Sequence, residues 1–336
     1  MAESIVFGDL LDDPDRLFTS LHTVLFGMGA ANLVLRAGIV ERLLAGPATT
    51  EELAALGQVP QGELARVLDF LVGHAVLARQ DDGHWLATPR TARLFEARGY
   101  LANCESSALM NSAWLPALRA GHSNFAEYFG QPVFAYFAAN PERGALFGEF
   151  MGWMTRRVIR FLFASHRFQP FVTVADIGGS MGDLLLAVLA EYPGTRGVLF
   201  DLPETLALAR PVIAASPLAE RVDLVEGTFF EAVPVADLYL MKQILHDWTD
   251  EECRTILATV RRVIPARGRL VVIDHILSDP PAPDEAQSTD LAMMAWAGGR
   301  ERKLAEFAAL FAATGFAIER VSRNPAGHSV IEVCPV

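Results

Sequence analysis

The stretch VTVADIGGSMG, Val172–Gly182, decides the fold. A short apolar run ends in an acid, Asp176, and a glycine loop, and helical periodicity resumes over Asp183–Glu191. That order is strand, turn, helix. The next apolar run, GVLFDLP, closes on Asp201, about 20 residues beyond Gly182, the spacing at which a second-strand acid grips ribose hydroxyls. The loop departs from G-x-G-x-x-G, because Ile177 stands at the first glycine position. That argues against a tight turn around pyrophosphate, and the acid at the strand end argues for a ligand with a cationic group. S-adenosylmethionine fits, with a ribose, an ammonium, a sulfonium and no phosphate. Gly178, Gly179 and Gly182 are expected to let the backbone approach its amino-acid part. A glycine turn in an α/β sheet without ligand uses the same residues.

Outward from this motif, strands are expected at Val172–Ile177, Gly197–Phe200, Val222–Glu226, Leu238–Met241, Arg269–Ile276, Phe316–Ser322 and Ser329–Val333. Helical patterns separate most of them, which predicts a doubly wound, mostly parallel α/β sheet of seven strands. Only the short turn Arg323–His328 separates the last two, so they form an antiparallel hairpin at one edge. The Pro-rich loop Ser278–Asp284 reads as a surface connection. Residues 16–168 are mostly helical in period, with a boundary near Gln169-Pro170. The expected division is an N-terminal domain over 1–100, a helical linker and substrate cover over 101–170, and a catalytic domain over 171–336.

Within the first 100 residues, a helix at Thr49–Ala55 is expected with Thr49 or Thr50 as cap and Glu51 and Glu52 in its first turn. A second helix covers Gln61–His74, and Ala75–Gln80 and His84–Ala87 form a hairpin wing. Helix, helix and wing make a winged-helix-like unit. Charge argues against DNA: residues 1–100 carry 13 acids, 8 arginines and no lysine. Packing in a homodimer is the better reading. The apolar segment Leu17–Leu35, with Gly27 and Gly29 for close contact, is the candidate interface; the alternative is that it packs within its own subunit.

Composition sets the wider bounds. The 336 residues are 51% hydrophobic and 20% charged, a globular balance with room for two domains. A net charge of −12 disfavours nucleic acid and anionic membrane. Cys104, Cys253 and Cys334 lie far apart, with neither metal spacing nor a disulfide framework. The acidic start, MAESIVFGDLLDD, does not read as a signal peptide, and no apolar run is expected to reach membrane-span length. The expected location is the cytoplasm.

Four blocks in order carry a family likeness: DIGGSMG at 176–182, FDLPE at 200–204, LHDWTDEE at 245–252, and GGRER…EF…LF…TGF from Gly298 to Phe316. Nearly the whole chain resembles the S-adenosylmethionine-dependent O-methyltransferases of the plant caffeate type and their bacterial natural-product relatives. The resemblance implies that Asp176, Gly178, Gly179 and Gly182 line the cofactor's amino-acid end. Asp201 would bind the ribose, with Leu202 and Thr228 also at the cofactor, Phe229 against the adenine, and Lys242 and Trp248 completing the wall. His246 matches the general base, and Asp274 and Glu301 match the acids that hold that histidine or the substrate. Three positions depart from the pattern. Ser180 replaces a common third glycine, Thr228 replaces an acid near the adenine, and Lys303 replaces a threonine, which is expected to remove a helix N-cap.

The residues suit such chemistry. Methyl transfer from a sulfonium is an in-line displacement, so the protein must position an acceptor oxygen and accept its proton. A phenol titrates near about 10 and gains from a base. His246 follows the run Leu238–Met241, and an imidazole ordinarily titrates near about 6.5. Asp274 ends a neighbouring strand, and Glu301 precedes the Lys303–Thr314 helix; either carboxylate would set the imidazole's tautomer. The alternative for His246 is a helix start, with Asp247 and Thr249 as caps. Strand alternation sends His275 to the opposite face. The remaining histidines lack partners at ligand spacing, so no metal is expected.

Met293 and Met294 are candidates to flank a flat ring, and Trp114, Phe125, Tyr128, Phe134, Met151, Trp153 and Met154 to cover it; each has a core role as its alternative. The expected protein is a homodimeric enzyme that methylates a hydroxyl of an aromatic small molecule, a phenazine, polyketide or other polycyclic phenol, and releases S-adenosylhomocysteine. The rivals are a same-fold N- or C-methyltransferase, a non-methylating S-adenosylmethionine enzyme, and a metabolite-sensing winged-helix regulator.

Overall fold

Thr49 starts the helix Thr50–Gly57 as expected: its Oγ1 accepts from Glu52 N at 3.2 Å, and Glu52 Oε2 accepts from Thr49 N at 2.9 Å. The next helix, Gln61–Gly73, turns Leu64, Leu68 and Leu71 into the core. The hairpin is shorter than expected, β1 (Leu77–Arg79) against β2 (Trp85–Ala87), because Ala75 sits at φ +55° as the chain leaves the helix. Ala48 bridges to Trp85, which is fully buried beside Leu53 and Leu68. The computed structural model describes residues 9, 11–323 and 327–336. Most of the acidic N-terminal stretch and the middle of the Arg323–His328 turn lie outside them.

The helix Pro14–Arg36 buries Ala31 and Val34 but leaves Phe18 67% and Val24 59% exposed. A Cβ on Gly27 would stand 3.7 Å from Phe70 of the same unit, and one on Gly29 would meet nothing within 4 Å. Its Asp15–Arg36 portion is long and apolar enough to cross a membrane by length and composition alone. That corrects the expectation that no run reaches this length: Thr19, Ser20, His22 and Thr23 interrupt the run without removing its apolar average.

The chain divides into two compact units, Met1–Leu109 and Met110–Val336, within the helix Arg98–Met110. From Met110, the region expected as a separate cover belongs to the larger unit. That unit carries β3 (Thr173–Ile177), β4 (Arg196–Asp201), β5 (Val222–Glu226), β6 (Leu238–Lys242), β7 (Arg269–Asp274), β8 (Phe316–Arg323) and β9 (Ser329–Pro335). They form one sheet in the order β5-β4-β3-β6-β7-β9-β8. The first five are parallel, and β9 runs antiparallel to both β7 and β8. The final strand therefore lies inside the edge hairpin's outer strand. β7 stops at Asp274, two residues early, because Ile276 leaves the sheet to bridge Arg302.

Alternation along the strands builds two cores. Val174, Leu238, Leu240, Val271 and Ile273 face the helices Pro141–Ser165, Asp183–Glu191 and Pro203–Ala214. Ala175, Ile177, Tyr239, Met241 and Val272 face Asp250–Val263 and Leu304–Ala312. The latter helix starts at Lys303 with no side-chain cap from Lys303, as expected, and Glu306 Oε2 accepts from Lys303 N at 2.8 Å.

Asp237 ties the two central strands together at their base. Its Oδ2 accepts from Val172 N, Thr173 N and Thr173 Oγ1 at 2.9–3.1 Å. Burial pushes this carboxyl up, but the Thr173 and Val172 hydrogen bonds outweigh it and hold it below its ordinary 3.8. Its stabilisation is therefore complete above 3.8 and fades as pH falls through the lowered value. Asp237→Ala is expected to cost about 1–3 kcal/mol at neutral pH. Urea titrations should show the difference from wild type shrinking below the ordinary carboxylate range.

Candidate active site

Strand order reverses between β3 and β6, and in such sheets ligands lie beyond the carboxyl ends at the reversal. A cavity of about 430 Å³ opens there, bordered by Asp176, Gly178, Asp201, Phe229, Lys242 and Trp248. Phe134, Phe137, Phe147 and Met151 close the opposite wall from the helices Val133–Ala139 and Pro141–Ser165.

Packing alone demands the loop glycines. Gly178 has φ +68°, and a Cβ there would stand 2.5 Å from Ile244 Cδ1. On Gly179 it would stand 2.5 Å from Leu199 Cδ1 and 2.7 Å from Asp176 Cγ, and on Gly182, at φ +84°, 2.8 Å from Ile213 Cδ1. Ser180, at the position where a third glycine is common, adopts φ +53°, a conformation glycine takes more readily. Asp201 pins this loop to β4: its Oδ2 accepts from Ser180 N and its Oδ1 from Leu202 N, each at 2.8 Å. Burial raises its pKa against those two bonds.

Asp176 is buried, and its Oδ2 has no hydrogen-bond partner among the described residues. Burial pushes its carboxyl up to about 7, while Lys242 pulls it down. Burial likewise brings Lys242 down to about 8 against the pull of Asp176, Asp274 and Asp247. Lys242 Nζ donates to Gln243 Oε1 at 2.6 Å. An unpaired buried carboxylate suits a cationic ligand group. Thr228 also lines the cavity; its hydroxyl accepts locally from Phe230 N at 3.3 Å. Phe229 meets Trp248 edge-on at 5.9 Å between centroids. Leu202 borders the same space, 45% exposed.

His246, Asp274 and Glu301 come together beside the cavity, outside its lining. His246 follows β6 in a 3-10 turn, Leu245–Asp247, and is 3% exposed. Its Nδ1 lies 2.7 Å from Glu301 Oε1 and 3.9 Å from Asp274 Oδ1, and both acids are fully buried. Glu301 Oε2 and both Asp274 oxygens have no hydrogen-bond partner among the described residues. The imidazole does not keep its ordinary range. Burial pulls its pKa down, but Glu301, Asp247 and Asp274 overcome this and push it up to about 10. Burial and the neighbouring negative charges raise Asp274. His275 turns elsewhere: its Nδ1 lies 3.2 Å from Gly327 O, and its ring stacks 4.1 Å from His328.

Of the nine candidate acceptor residues, Phe134 and Met151 line the cavity. Met154, on the same helix, is buried, with Arg157 Nη1 3.6 Å from its sulfur. Met293 and Met294 lie partly buried on the helix Glu285–Trp296, away from the cavity lining. Trp114 packs in an aromatic cluster with Phe125 and Trp296. Sequence reasoning also left gaps. Asp247, named only as a cap in the alternative reading of His246, lines the cavity, while Thr249 and Glu252 cap the following helix between them. Gly299 admits a backbone crossing so close that a Cβ there would stand 2.0 Å from His246 O. Both residues lie within or beside the quoted blocks, which was the available signal.

Residues 113–317 match the O-methyltransferase domain. The chain belongs to the S-adenosylmethionine-dependent O-methyltransferases. It is 34% identical over 308 residues to the phenazine O-methyltransferase PhzM of Lysobacter antibioticus, covering 89% of this chain and 90% of that one. Among solved structures it resembles the mitomycin 7-O-methyltransferase MmcR, with a TM-score of 0.84, 27% identity and coverage of 98% and 100%. It also resembles CalO1, a methyltransferase of calicheamicin biosynthesis bound to S-adenosylhomocysteine, with a TM-score of 0.69, 34% identity and coverage of 96% and 99%. The O-methyltransferase's glycine loop yields a direct test. Gly179→Ala forces Leu199 or Asp176 to move, so it is expected to cost about 1–3 kcal/mol and to weaken S-adenosylhomocysteine binding. Thermal unfolding and calorimetric titration measure the two effects.

Proposed function

We propose that the enzyme methylates a hydroxyl of a planar, largely apolar aromatic metabolite, a phenazine or other polycyclic phenol, with His246 carrying the acceptor's proton. The observation behind this reading is the 2.7 Å contact between His246 Nδ1 and buried Glu301. It fixes the tautomer, with Nδ1–H donating to the carboxylate, and leaves Nε2 for the acceptor. S-adenosylmethionine supplies an electrophilic methyl group on a sulfonium. Asp176 would take its ammonium, Asp201 its ribose, and Phe229 and Trp248 its adenine end, with Gly178, Gly179, Gly182, Leu202, Thr228 and Lys242 completing the cradle. The aromatic wall at Phe134, Phe137, Phe147 and Met151 supports a flat partner beside it.

The raised pKa of His246 changes how the proton is handled. At neutral pH the free enzyme holds an imidazolium. It pairs with an acceptor that enters as phenolate, which has the same proton count as imidazole facing phenol. Glu301, in contact with Nδ1, favours that cation most, with Asp247 and Asp274 adding to it.

The N-terminal unit reads as a winged-helix-like dimerisation domain in a cytoplasmic homodimer. The exposed Phe18 and Val24 face of its first helix supports the interface, and its acidic balance argues against nucleic acid. Light scattering returning a 36.6 kDa species at micromolar concentration would sink the dimer.

Incubation with S-adenosylmethionine and a panel of phenols, hydroxyphenazines and hydroxyanthraquinones, followed by mass spectrometry, is expected to give O-methylated product and equal S-adenosylhomocysteine. Product methylated at nitrogen or carbon would overturn the acceptor assignment. For acidic phenols, kcat/KM should rise with the acceptor's own pKa and fall near about 10 as His246 deprotonates. His246→Gln should lose that falling limb and about 10²–10⁴-fold in kcat. A single limb near about 6.5, unmoved by the acceptor, would mean an ordinary imidazole base instead.

A further inference from the structure

Arg302 is 1% exposed, yet it lies outside the cavity lining and in neither hydrophobic core of the sheet. A buried guanidinium is costly unless its five N–H donors find partners. Here they do. Nε and Nη2 donate to Asp250 Oδ1 at 3.0 and 2.8 Å. Nη2 also donates to Trp248 O at 2.9 Å, and Nη1 to Leu245 O at 2.8 Å and to Arg300 O at 3.4 Å. The Leu245 and Trp248 carbonyls bracket His246 in sequence, one just before it and one two residues after. The backbone of Arg302 has its own anchor, since Leu277 N donates to Arg302 O at 3.0 Å, beyond the strand that ends in Asp274. Its neighbour Glu301 makes the 2.7 Å contact with the imidazole.

Three chain segments thus meet at one residue: the His246 turn at its guanidinium, and the Glu301 loop and the continuation of β7 through its backbone. Gly299 lets the backbones cross, and Arg300 N donates to His246 O at 2.8 Å. We propose that Arg302 is a positioning residue for methyl transfer, holding the His246 ring against Glu301 so that Nε2 stays presented and the imidazolium stays stabilised. The inference rests on the proton-carrying role of His246 argued above. Lysine is no substitute, because a point charge with three donors cannot span carbonyls on both sides of the turn while gripping Asp250.

The test compares Arg302→Lys, Arg302→Met and Asp250→Asn with wild type and His246→Gln in the full-length enzyme. Asp250 is half exposed, so its substitution weakens the grip of Arg302 from the solvent side while preserving the fold, and it decides the matter where the Arg302 variants fail to fold. Folding is checked by circular dichroism, and the cofactor pocket by S-adenosylhomocysteine affinity. The Arg302 variants are expected to lose at least about tenfold in kcat with KM changed less than about threefold, and Asp250→Asn to lose less. The falling limb of the kcat/KM profile should move to lower pH in all three, because His246 loses part of Glu301's support. Folded variants with kcat within about twofold of wild type and an unmoved falling limb would overturn the inference. If His246→Gln keeps the wild-type rate, the base reading fails and this inference fails with it. If His246→Gln is inactive while the Arg302 and Asp250 variants match wild type, only the positioning role fails.

Discussion

A parallel sheet covered on both faces leaves its charged side chains few places to gather, chiefly the carboxyl ends of its strands. Four strands obey this closely. β4 ends in Asp201, β6 in Lys242 and β7 in Asp274, while β3 carries Asp176 one residue from its end. The interior positions of β6 and β7 are apolar, because both faces are packed. Burial that would be ruinous in the strand middle becomes useful at this rim. The same desolvation that raises Asp176 and lowers Lys242 keeps both groups ready for a charged partner.

The cluster around His246 works by excess. Three carboxylates, Asp247, Asp274 and Glu301, stand against one imidazole, and only Glu301 is in hydrogen-bond contact with it. The surplus of negative charge favours the protonated ring over the neutral one. Nearby, Arg302 answers the surplus without entering the cavity, bonding carbonyls and Asp250 in place of the unpaired acids.

Much of this was legible in the chain. The apolar runs VADI and LYLM, the acids at or near the ends of β3, β4 and β7, and the glycine loop are local patterns, and local patterns survive folding. Thr49 capped its helix because Glu52 sits three residues on, a signal carried by four residues alone. What escaped was set by distance. Nothing near His246 in sequence reveals that Glu301, 55 residues later, lies 2.7 Å from it, so only the family likeness brought the two together, and the pKa of the ring followed from neither. Arg302 was hidden for the same reason, since its partners belong to another loop. Met293, Met294 and Trp114 lie outside the lining of the cavity, and only Trp114 joins a hydrophobic cluster, since soft and aromatic side chains meet a core or a ligand with equal ease.

The position of β9 governs the order in which the sheet closes during synthesis. Asp274 lies on β7, whose outer neighbour is β9, a strand made only after β8. As the polypeptide leaves the ribosome, β3, β4, β5 and β6 can pair in turn, but the free edge of β7 stays open until Ser329–Pro335 emerges. Nascent chains paused or cut short before Ser329 would present that apolar edge to chaperones or to one another. Asp274 on β7 is thus enclosed only once β9 has paired, so a copy lacking Ser329–Pro335 leaves that end of the sheet open.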